Sequence, residues 1–421
     1  MKRSILILLF IVFNSNFSLA NSYAIEDLRR RPQFGNGFSY AVLPLPYKIP
    51  GLGEGVGVGM TLNNIFETDL DIIALVILGD VEGCAFGVTD YYLIPERFYL
   101  NIGASYINKA TFLINPSRGM KGDEDPDDFY SAELGDSSGA GLDATITFLN
   151  RMVDFNFSFY STEGNIKSIR DKDGNVLIDT EDSDSERQHI FGAGFLLDLT
   201  DDRKDPRVGF RFNISANKSL DVEDDAVENY VVDINSTAYF PILKQSTIVL
   251  NYFHSDSHVI SEGLTDRDQI ISNNDLSVTS GDTEAENARD EVVDNIVSEN
   301  KYGSASSLGG LSRLRSFTVM RFRGAHTRFA GVEFRYNLTD EKTPFNIWLI
   351  KDVRTSIQIA FFHEAGTIAD HESELYDEIK HSTGIGLRMV VSSGFVFRLD
   401  VATGSEGEEV SLFFDYPWSF L

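Results

Sequence analysis

The chain has 421 residues, of which 42% are apolar and 12% aromatic, and it carries a formal net charge of −28. This composition is too apolar and too aromatic for an intrinsically disordered chain. The acidity argues against a nucleic-acid partner, because a phosphate backbone would be repelled. The single cysteine, Cys84, excludes an intrachain disulfide framework and a multi-cysteine zinc site.

The first residues have the pattern of a secretory signal peptide. Lys2 and Arg3 precede an apolar run over 5–13, and small residues provide two candidate cleavage sites, after Ala20 or after Ala24. The run is shorter than the roughly 20 residues that a membrane-spanning helix needs. The predicted organisation is a signal peptide over 1–24, a short periplasmic segment over 25–34 and a single further domain over 35–421.

Segments in which apolar and polar residues alternate recur along the rest of the chain. In one of them, phenylalanines between Val153 and Phe159 alternate with polar residues, and the same pattern runs through 208–215, 332–338, 395–401 and 410–418. A period of two is typical of strands, and about ten such residues match a strand of a membrane barrel. We therefore predict an all-β, transmembrane antiparallel β-barrel of about 16 strands. A secreted β-sandwich or propeller is the alternative fold.

The segments between the predicted strands fall into two classes. Short turns lie near 51–53, 150–151 and 392–394, whereas long acidic segments span 116–138, 164–186 and 255–308. Short periplasmic turns and long extracellular loops are the expected asymmetry of outer-membrane barrels. The largest segment holds 12 acidic and 3 basic residues between Asp256 and Lys301. This composition predicts a mobile, solvated loop.

Several short motifs follow one another through the second half of the chain. They lie at Asp201–Gly209, Leu308–Phe317, Gly331–Tyr336, Phe361–Gly366, Gly384–Arg388 and Phe397–Ala402. In this order they resemble the BamA/TamA superfamily of outer-membrane barrels, the bacterial surface antigen type. The family's strand-entry motif then corresponds to Asp202, Arg203, Pro206 and Gly209. The resemblance implies the outer membrane of a Gram-negative bacterium, surrounding outer-membrane lipid and no cofactor.

The resemblance also implies a contact between a long loop and the barrel lumen. In that family a loop arginine pairs with acids on nearby strands, which corresponds to Arg315 with Glu333 and Glu364. Both acids share the parity of the polar face of their predicted strands, so they are expected to point into the lumen. The sequence departs from the family at Ser316, where glycine is usual, and at Glu364, where aspartate is usual. The alternative is that Arg315 is a solvated loop charge.

The alternation over 410–418 predicts the strand that closes the barrel, with Pro417 and Trp418 inside it. Proline lacks a backbone donor, so Pro417 would remove one ladder hydrogen bond. Two interpretations stay open. Either the seam between the first and last strands is weak near its end, or Pro417 only terminates the strand at the membrane surface.

Three other candidates are weaker. Asp171–Asn175 hints at calcium, but it lacks the ligands of an EF-hand loop, and a hairpin turning at Asp-Gly is the preferred interpretation. His254–His258 holds the residue types of a hydrolase triad. Neighbouring residues on an extended segment point apart, so polar residues at a strand end are preferred. We interpret Cys84 as a small lipid- or lumen-facing residue.

Family members that insert proteins carry periplasmic POTRA domains before the barrel. The first strand is predicted near Gly35, so we expect the barrel alone, with a POTRA-containing or chaperone protein as a separate periplasmic partner. The leading hypothesis is a non-enzymatic barrel that assists insertion or transport of a polypeptide or lipid, with an unknown translocated substrate. The alternative is a passive cation-favouring pore or a surface structural protein.

Overall fold

The computed structural model describes residues 37–418, except 69, 116, 121–128, 181–184, 221–225, 280, 340–344, 354 and 392–395. The predicted signal peptide, the predicted segment over 25–34 and the predicted turn at 392–394 lie outside these residues. Within the described part, no helix combines the length and the apolar character needed to cross a membrane.

Across the described residues, sixteen antiparallel strands form the wall of a closed barrel, which confirms the predicted fold. The wall strands are β1 (Ser39–Ile49), β2 (Gly53–Asn63), β3 (Asp71–Gly79), β4 (Glu82–Ile94), β5 (Phe98–Ile114), β7 (Ser137–Phe148), β8 (Val153–Gly164), β11 (Glu186–Asp198), β12 (Gly209–Ser219), β13 (Glu228–Pro241), β14 (Ser246–Ser261), β15 (His326–Asn337), β18 (Thr355–Ala369), β19 (Lys380–Val391), β20 (Val396–Gly404) and β21 (Gly407–Phe414). Five short strands lie in the connections: β6 (Tyr130–Leu134), β9 (Ile166–Arg170), β10 (Val176–Asp179), β16 (Phe345–Ile347) and β17 (Ile350–Val353).

The alternation of residue types matches the two faces of the wall. On β8, Phe155, Phe157 and Phe159 are exposed on the outside, and Phe157 keeps 46% of its surface accessible. Asp154 and Ser158 point the other way and are buried. Because successive side chains of a strand point to opposite faces, phenylalanines at every second position form an apolar outer belt.

The connections at the two ends of the barrel differ in length. The long β5–β7, β8–β11 and β14–β15 connections share one end, which we call the outer end, and the short β7–β8 and β13–β14 turns share the other. The turn at 51–53 corrects the grouping made from the sequence. It joins β1 to β2 at the outer end, where the backbone oxygen of Gly51 accepts a hydrogen bond from Leu113 N. Turn length alone therefore misplaces this connection.

The β14–β15 connection contains two helices, so the prediction of a mobile, solvated loop was wrong. It contains α1 (Arg267–Asn273) and α2 (Thr283–Tyr302), besides short 3-10 turns elsewhere at Ile65–Glu67 and Glu372–Glu374. Asp266 and Asp282 cap the two helices by accepting hydrogen bonds from Gln269 N and Ala285 N. Aspartate is a strong N-cap residue, so some of the acidic residues that suggested a mobile loop instead stabilise the N-termini of the helices.

The helices pack on an apolar layer above the barrel. Its buried members are Ile166, Ile169, Ile178, Ile270, Leu276, Val292 and Val293. Hairpin β9–β10 supplies part of this layer, and its turn confirms the hairpin prediction for Asp171–Asn175. There the Asn175 side-chain amide donates to Asp171 Oδ2 at 2.7 Å, which lowers the pKa of the Asp171 carboxyl. The turn therefore satisfies its own carboxylate.

Candidate functional site

The β14–β15 connection returns from α2 into the barrel lumen before β15 begins. Residues 308–322 form a compact turn closed by paired hydrogen bonds between the backbones of Leu308 and Phe322, each 3.0 Å. Leu314 and Phe317 are fully buried with them. Four apolar anchors thus hold the loop inside, and they carry the intervening Arg315 into the lumen.

Arg315 contacts three carboxylates on three strands. Its backbone N and its Nε donate to the two oxygens of Glu364 at 3.0 and 2.9 Å. Its Nη1 donates to Asp400 Oδ2 at 2.7 Å, and its Nη2 lies 3.3 Å from Glu333 Oε2. The guanidinium also lies over the Phe362 ring, 3.3 Å from its centroid. These contacts use the planar fork of arginine, which a lysine would not reproduce.

Glu333 is shared by several arginines. Arg388 Nη1 and Nη2 each lie 2.5 Å from a Glu333 oxygen, and Arg335 Nε lies 2.6 Å away. Every one of these side chains is almost fully buried. Charges removed from water are tolerated when they are paired and hydrogen-bonded, so each member depends on the others. Arg398 joins them through Asp400, whose Oδ2 accepts from Arg398 Nη1 at 3.2 Å. We call the set Arg315, Glu333, Arg335, Glu364, Arg388, Arg398 and Asp400 the arginine centre.

Sequence reasoning had not assigned Arg335, Arg388, Arg398 or Asp400 to this centre. Their signal was present, because Arg398 and Asp400 occupy the polar positions of an alternating strand and Arg388 lies on the buried, lumen-facing side of another, β19. Register then brings them together, with Arg388 opposite Arg398 on β19 and β20. The glycine usual at Ser316 is not needed here, since Ser316 does not have a positive φ; the residues of this turn that do are Gly309, Gly310, Leu314 and Met320.

The predicted strand-entry residues form the turn between β11 and β12. Asp202 is buried and its Oδ1 accepts from Lys204 N at 2.9 Å, and Pro206 is buried beside it. Arg203 Nη2 donates to Asp154 Oδ2 at 3.0 Å. Gly209 has φ +119°, and a Cβ there would lie 2.3 Å from the backbone oxygen of Leu199. These residues shape a tight turn, and Gly209 has no substitute without distortion.

The segment after β21 corrects the closing-strand prediction. β21 ends at Phe414, and Asp415 adopts φ 67°, which turns the chain away from the wall. Pro417 and Trp418 therefore lie outside the strand, and Trp418 is 2% exposed inside the barrel. The predicted alternation assumed that the strand continued. An aspartate in a left-handed conformation breaks that period at little cost.

Tyr416 and Trp418 anchor this segment, which we call the tail (415–418), within the lumen. The Trp418 indole donates to Glu364 Oε1 at 3.2 Å and occupies the space left by Gly331, where a Cβ would lie 2.4 Å from its ring. The Tyr416 hydroxyl donates to Asp205 Oδ1 at 2.6 Å. The tail thus connects the arginine centre with the strand-entry turn.

The seam between β1 and β21 is sparsely paired. β1 pairs with β2 from Ser39 opposite Asn63 to Ile49 opposite Gly53, but with β21 only where Lys48 faces Leu412. At the other end of the same edge, β17 takes the place of β21. There Val42 N donates to the backbone oxygen of Leu349 at 3.0 Å. A hairpin from the β15–β18 connection therefore covers part of the first strand.

Two prolines in β1 explain this pairing. Val42 directs its N–H toward the seam. Backbone groups alternate between the two edges of a strand, so the backbone nitrogens of Pro44, Pro46 and Lys48 also face the seam. Pro44 and Pro46 have no N–H, so this edge can lack a partner without leaving buried donors unsatisfied. In a membrane, where unpaired backbone groups are costly, such an edge is cheaper to open than an ordinary one.

The histidine-rich segment at the outer end of β14 does not form a catalytic set. His254 and Asp256 contact each other on the outer face, while Ser255 and Ser257 point inward. Across the described residues, one group of three possible metal ligands occurs there: Asp256, His326 and Glu372. Arg328 Nη1 lies 2.8 Å from Asp256 Oδ1, so the charge of this carboxylate is already balanced by a guanidinium of the same chain. We assign no metal to it.

A closed barrel of sixteen strands with an apolar outer belt defines an outer-membrane β-barrel protein. No family model and no curated protein matches the chain. Among solved structures, the chain is similar to BamA from Haemophilus ducreyi lacking POTRA domains 1–3, at 13% identity and a TM-score of 0.47, over 90% of this chain and 70% of that chain.

The chain is also similar to CdiB from Escherichia coli, at 12% identity and a TM-score of 0.49, and to CdiB from Acinetobacter baumannii, at 12% identity and a TM-score of 0.47. It covers 62% and 58% of those two chains, and 89% of it is matched in each comparison. The chain thus spans less than two thirds of either CdiB.

Proposed function

We propose that the chain is a non-enzymatic outer-membrane barrel that assists insertion or transport of a polypeptide, and that it acts through the seam rather than through an open lumen. The observation that carries this proposal is the edge of β1, where Pro44 and Pro46 replace two ladder donors and β21 pairs at Lys48 alone. An edge that opens cheaply could admit an extended segment beside β1.

The contents of the lumen support the same proposal. Loop 308–322, the arginine centre and the tail all lie inside the barrel, with Arg315, Phe317 and Trp418 buried. A passive pore requires a water-filled path, as in porins, whose interiors stay open. The occupied lumen therefore argues against the alternative of a passive cation-favouring pore.

Apolar side chains packed behind the seam compensate for its missing backbone hydrogen bonds. Leu45 and Tyr47 of β1 and Phe413 and Phe414 of β21 line one apolar pocket inside the barrel. Lumen-facing positions of such barrels are usually polar. Side chains can separate without leaving hydrogen-bonding groups unpaired, so we infer that this contact seals the seam and can open reversibly.

A disulfide across the seam tests the proposal. Lys48 and Leu412 are register partners, so Lys48→Cys with Leu412→Cys, in a Cys84→Ser background, meets the geometry that a disulfide needs. We expect the oxidised barrel to fail to restore the abundance of other outer-membrane proteins in a deletion strain. Reduction should restore it.

The matched control places the same bond where no opening is proposed. Val56 and Leu78 are paired on β2 and β3, so Val56→Cys with Leu78→Cys should leave function unchanged under oxidation. Full complementation by the oxidised Lys48/Leu412 variant would contradict a function that depends on the seam. Steady cation-selective conductance of the parent barrel in planar bilayers would instead support the pore.

A further inference from the structure

A straight continuation of β21 would give the tail a second position. If β21 continued straight in the register set by Lys48 opposite Leu412, Tyr416 would face Pro44 and Trp418 would face Val42. By strand parity, both aromatic side chains would then lie on the outer face with Leu412. The alternation of apolar and polar residues over 410–418 continues beyond the end of β21 and is compatible with such an extended strand. The tail can therefore satisfy its aromatic residues in the lumen or in the lipid.

The hairpin β16–β17 lies in the way of the second position. Val42 is already bonded to Leu349, and Ile350 and Lys351 face Ala41 and Tyr40 along the same edge. A straight tail would reach Val42, so it and the hairpin compete for one backbone edge. The structure shows the state in which the hairpin holds that edge and the tail is inside.

We propose that the tail is an internal latch, which in its docked position stops β21 from extending further along β1 and is coupled to loop 308–322 through Glu364. Glu364 accepts hydrogen bonds from both Trp418 and Arg315, so release of Trp418 changes the contacts of the loop arginine. Tyr416 holds the other end of the latch through Asp205. This regulation rests on the proposed function of the seam, but the positions of the tail can be measured apart from it.

The two tryptophans of the chain make the latch measurable. They are Trp418 in the tail and Trp348 at the tip of the hairpin, so Trp348→Phe leaves Trp418 as the only indole. In phosphatidylcholine vesicles with brominated acyl chains, we expect little quenching of Trp418 while it is docked in the lumen. Adding Tyr416→Phe with Pro44→Val and Pro46→Val weakens the latch and restores two seam donors. We expect a several-fold rise in quenching, because Trp418 then faces lipid.

A matched variant controls for loss of a lumenal tyrosine. The Tyr160 hydroxyl donates to Asp143 at 2.6 Å, the same distance as in the latch, so Tyr160→Phe should leave Trp418 quenching unchanged. Tyr416→Phe alone and the proline replacements alone should give intermediate rises, which keeps the test open if the combined variant fails to fold. Strong quenching in the Trp348→Phe parent, or equal quenching in all variants, would overturn the latch. Neither result bears on the seam disulfide assay.

Discussion

Replacing Glu333 with glutamine is expected to destabilise the barrel more than replacing any other charged residue of the arginine centre with a neutral one. Three guanidinium groups, those of Arg315, Arg335 and Arg388, lie within hydrogen-bonding distance of this one carboxylate, and all are buried. Glutamine removes the charge that compensates them, while its amide offers a donor where only an acceptor fits. Leaving buried charge without its partner costs about 3–5 kcal/mol. The free energy of unfolding, from urea titration in micelles or vesicles, should fall by this order.

The control for Glu333→Gln is an arginine–glutamate pair on the surface. Glu163 accepts from Arg187 across neighbouring strands at the outer end, and both side chains are well exposed. An exposed pair is screened by water and salt, so Glu163→Gln should leave the urea midpoint unchanged. Equal effects of the two replacements would contradict a buried charge network at Glu333.

The wall of the barrel could be predicted from the sequence because its signal is local. A lipid-facing phenylalanine at every second position, as at Phe155 and Phe157, needs no knowledge of the partner strand. The lumenal direction of Glu333 and Glu364 follows from the same parity. What parity does not give is which lumenal charges meet. Asp400 joins Arg315 only through the register of strands that are distant in sequence.

The helices and the tail could not be predicted for a different reason. In α2 the buried positions, such as Val292 and Val293, are flanked by many acids, so composition suggested solvent where the fold provides an apolar layer. In the tail, the alternation of Phe414, Tyr416 and Trp418 is a true strand pattern. A single left-handed residue, Asp415, overrides it. Tertiary contacts decide both cases, and no local window contains them.

The two prolines of β1 carried a signal that sequence reasoning attributed to Pro417 instead. A proline at every second position removes donors from one edge only, because N–H groups alternate between edges. Pro44 and Pro46 therefore weaken the seam, whereas Pro417 lies beyond the last strand. The two-residue spacing of Pro44 and Pro46 was the informative property, because it places both prolines on the same edge of β1. A single proline at a strand end has no such spacing.

Arg315→Glu is expected to expel loop 308–322 from the lumen. The replacement puts a fourth carboxylate beside Glu333, Glu364 and Asp400, so three attractive contacts become repulsive. Loss of a buried ion pair costs about 3–5 kcal/mol, which raises the population of the open loop by at least about 100-fold. Trypsin should then cut at arginines within the loop that the parent barrel protects. Mass spectrometry of the fragments locates the cuts.

Two controls separate loop release from general loss of stability. Arg151 is also buried, and its Nη1 lies 3.0 Å from Asp90 Oδ1 in another part of the barrel. Arg151→Glu should lower the free energy of unfolding without exposing cleavage at Arg313 or Arg321. Arg315→Lys keeps the charge but loses the planar fork, so its digestion rate should fall between those of the parent and Arg315→Glu. If Arg315→Glu leaves the digestion pattern of the loop unchanged, the apolar anchors Leu308, Leu314, Phe317 and Phe322 hold the loop without the arginine centre. The buried charges would then stabilise the strands of the barrel wall and not the position of the loop.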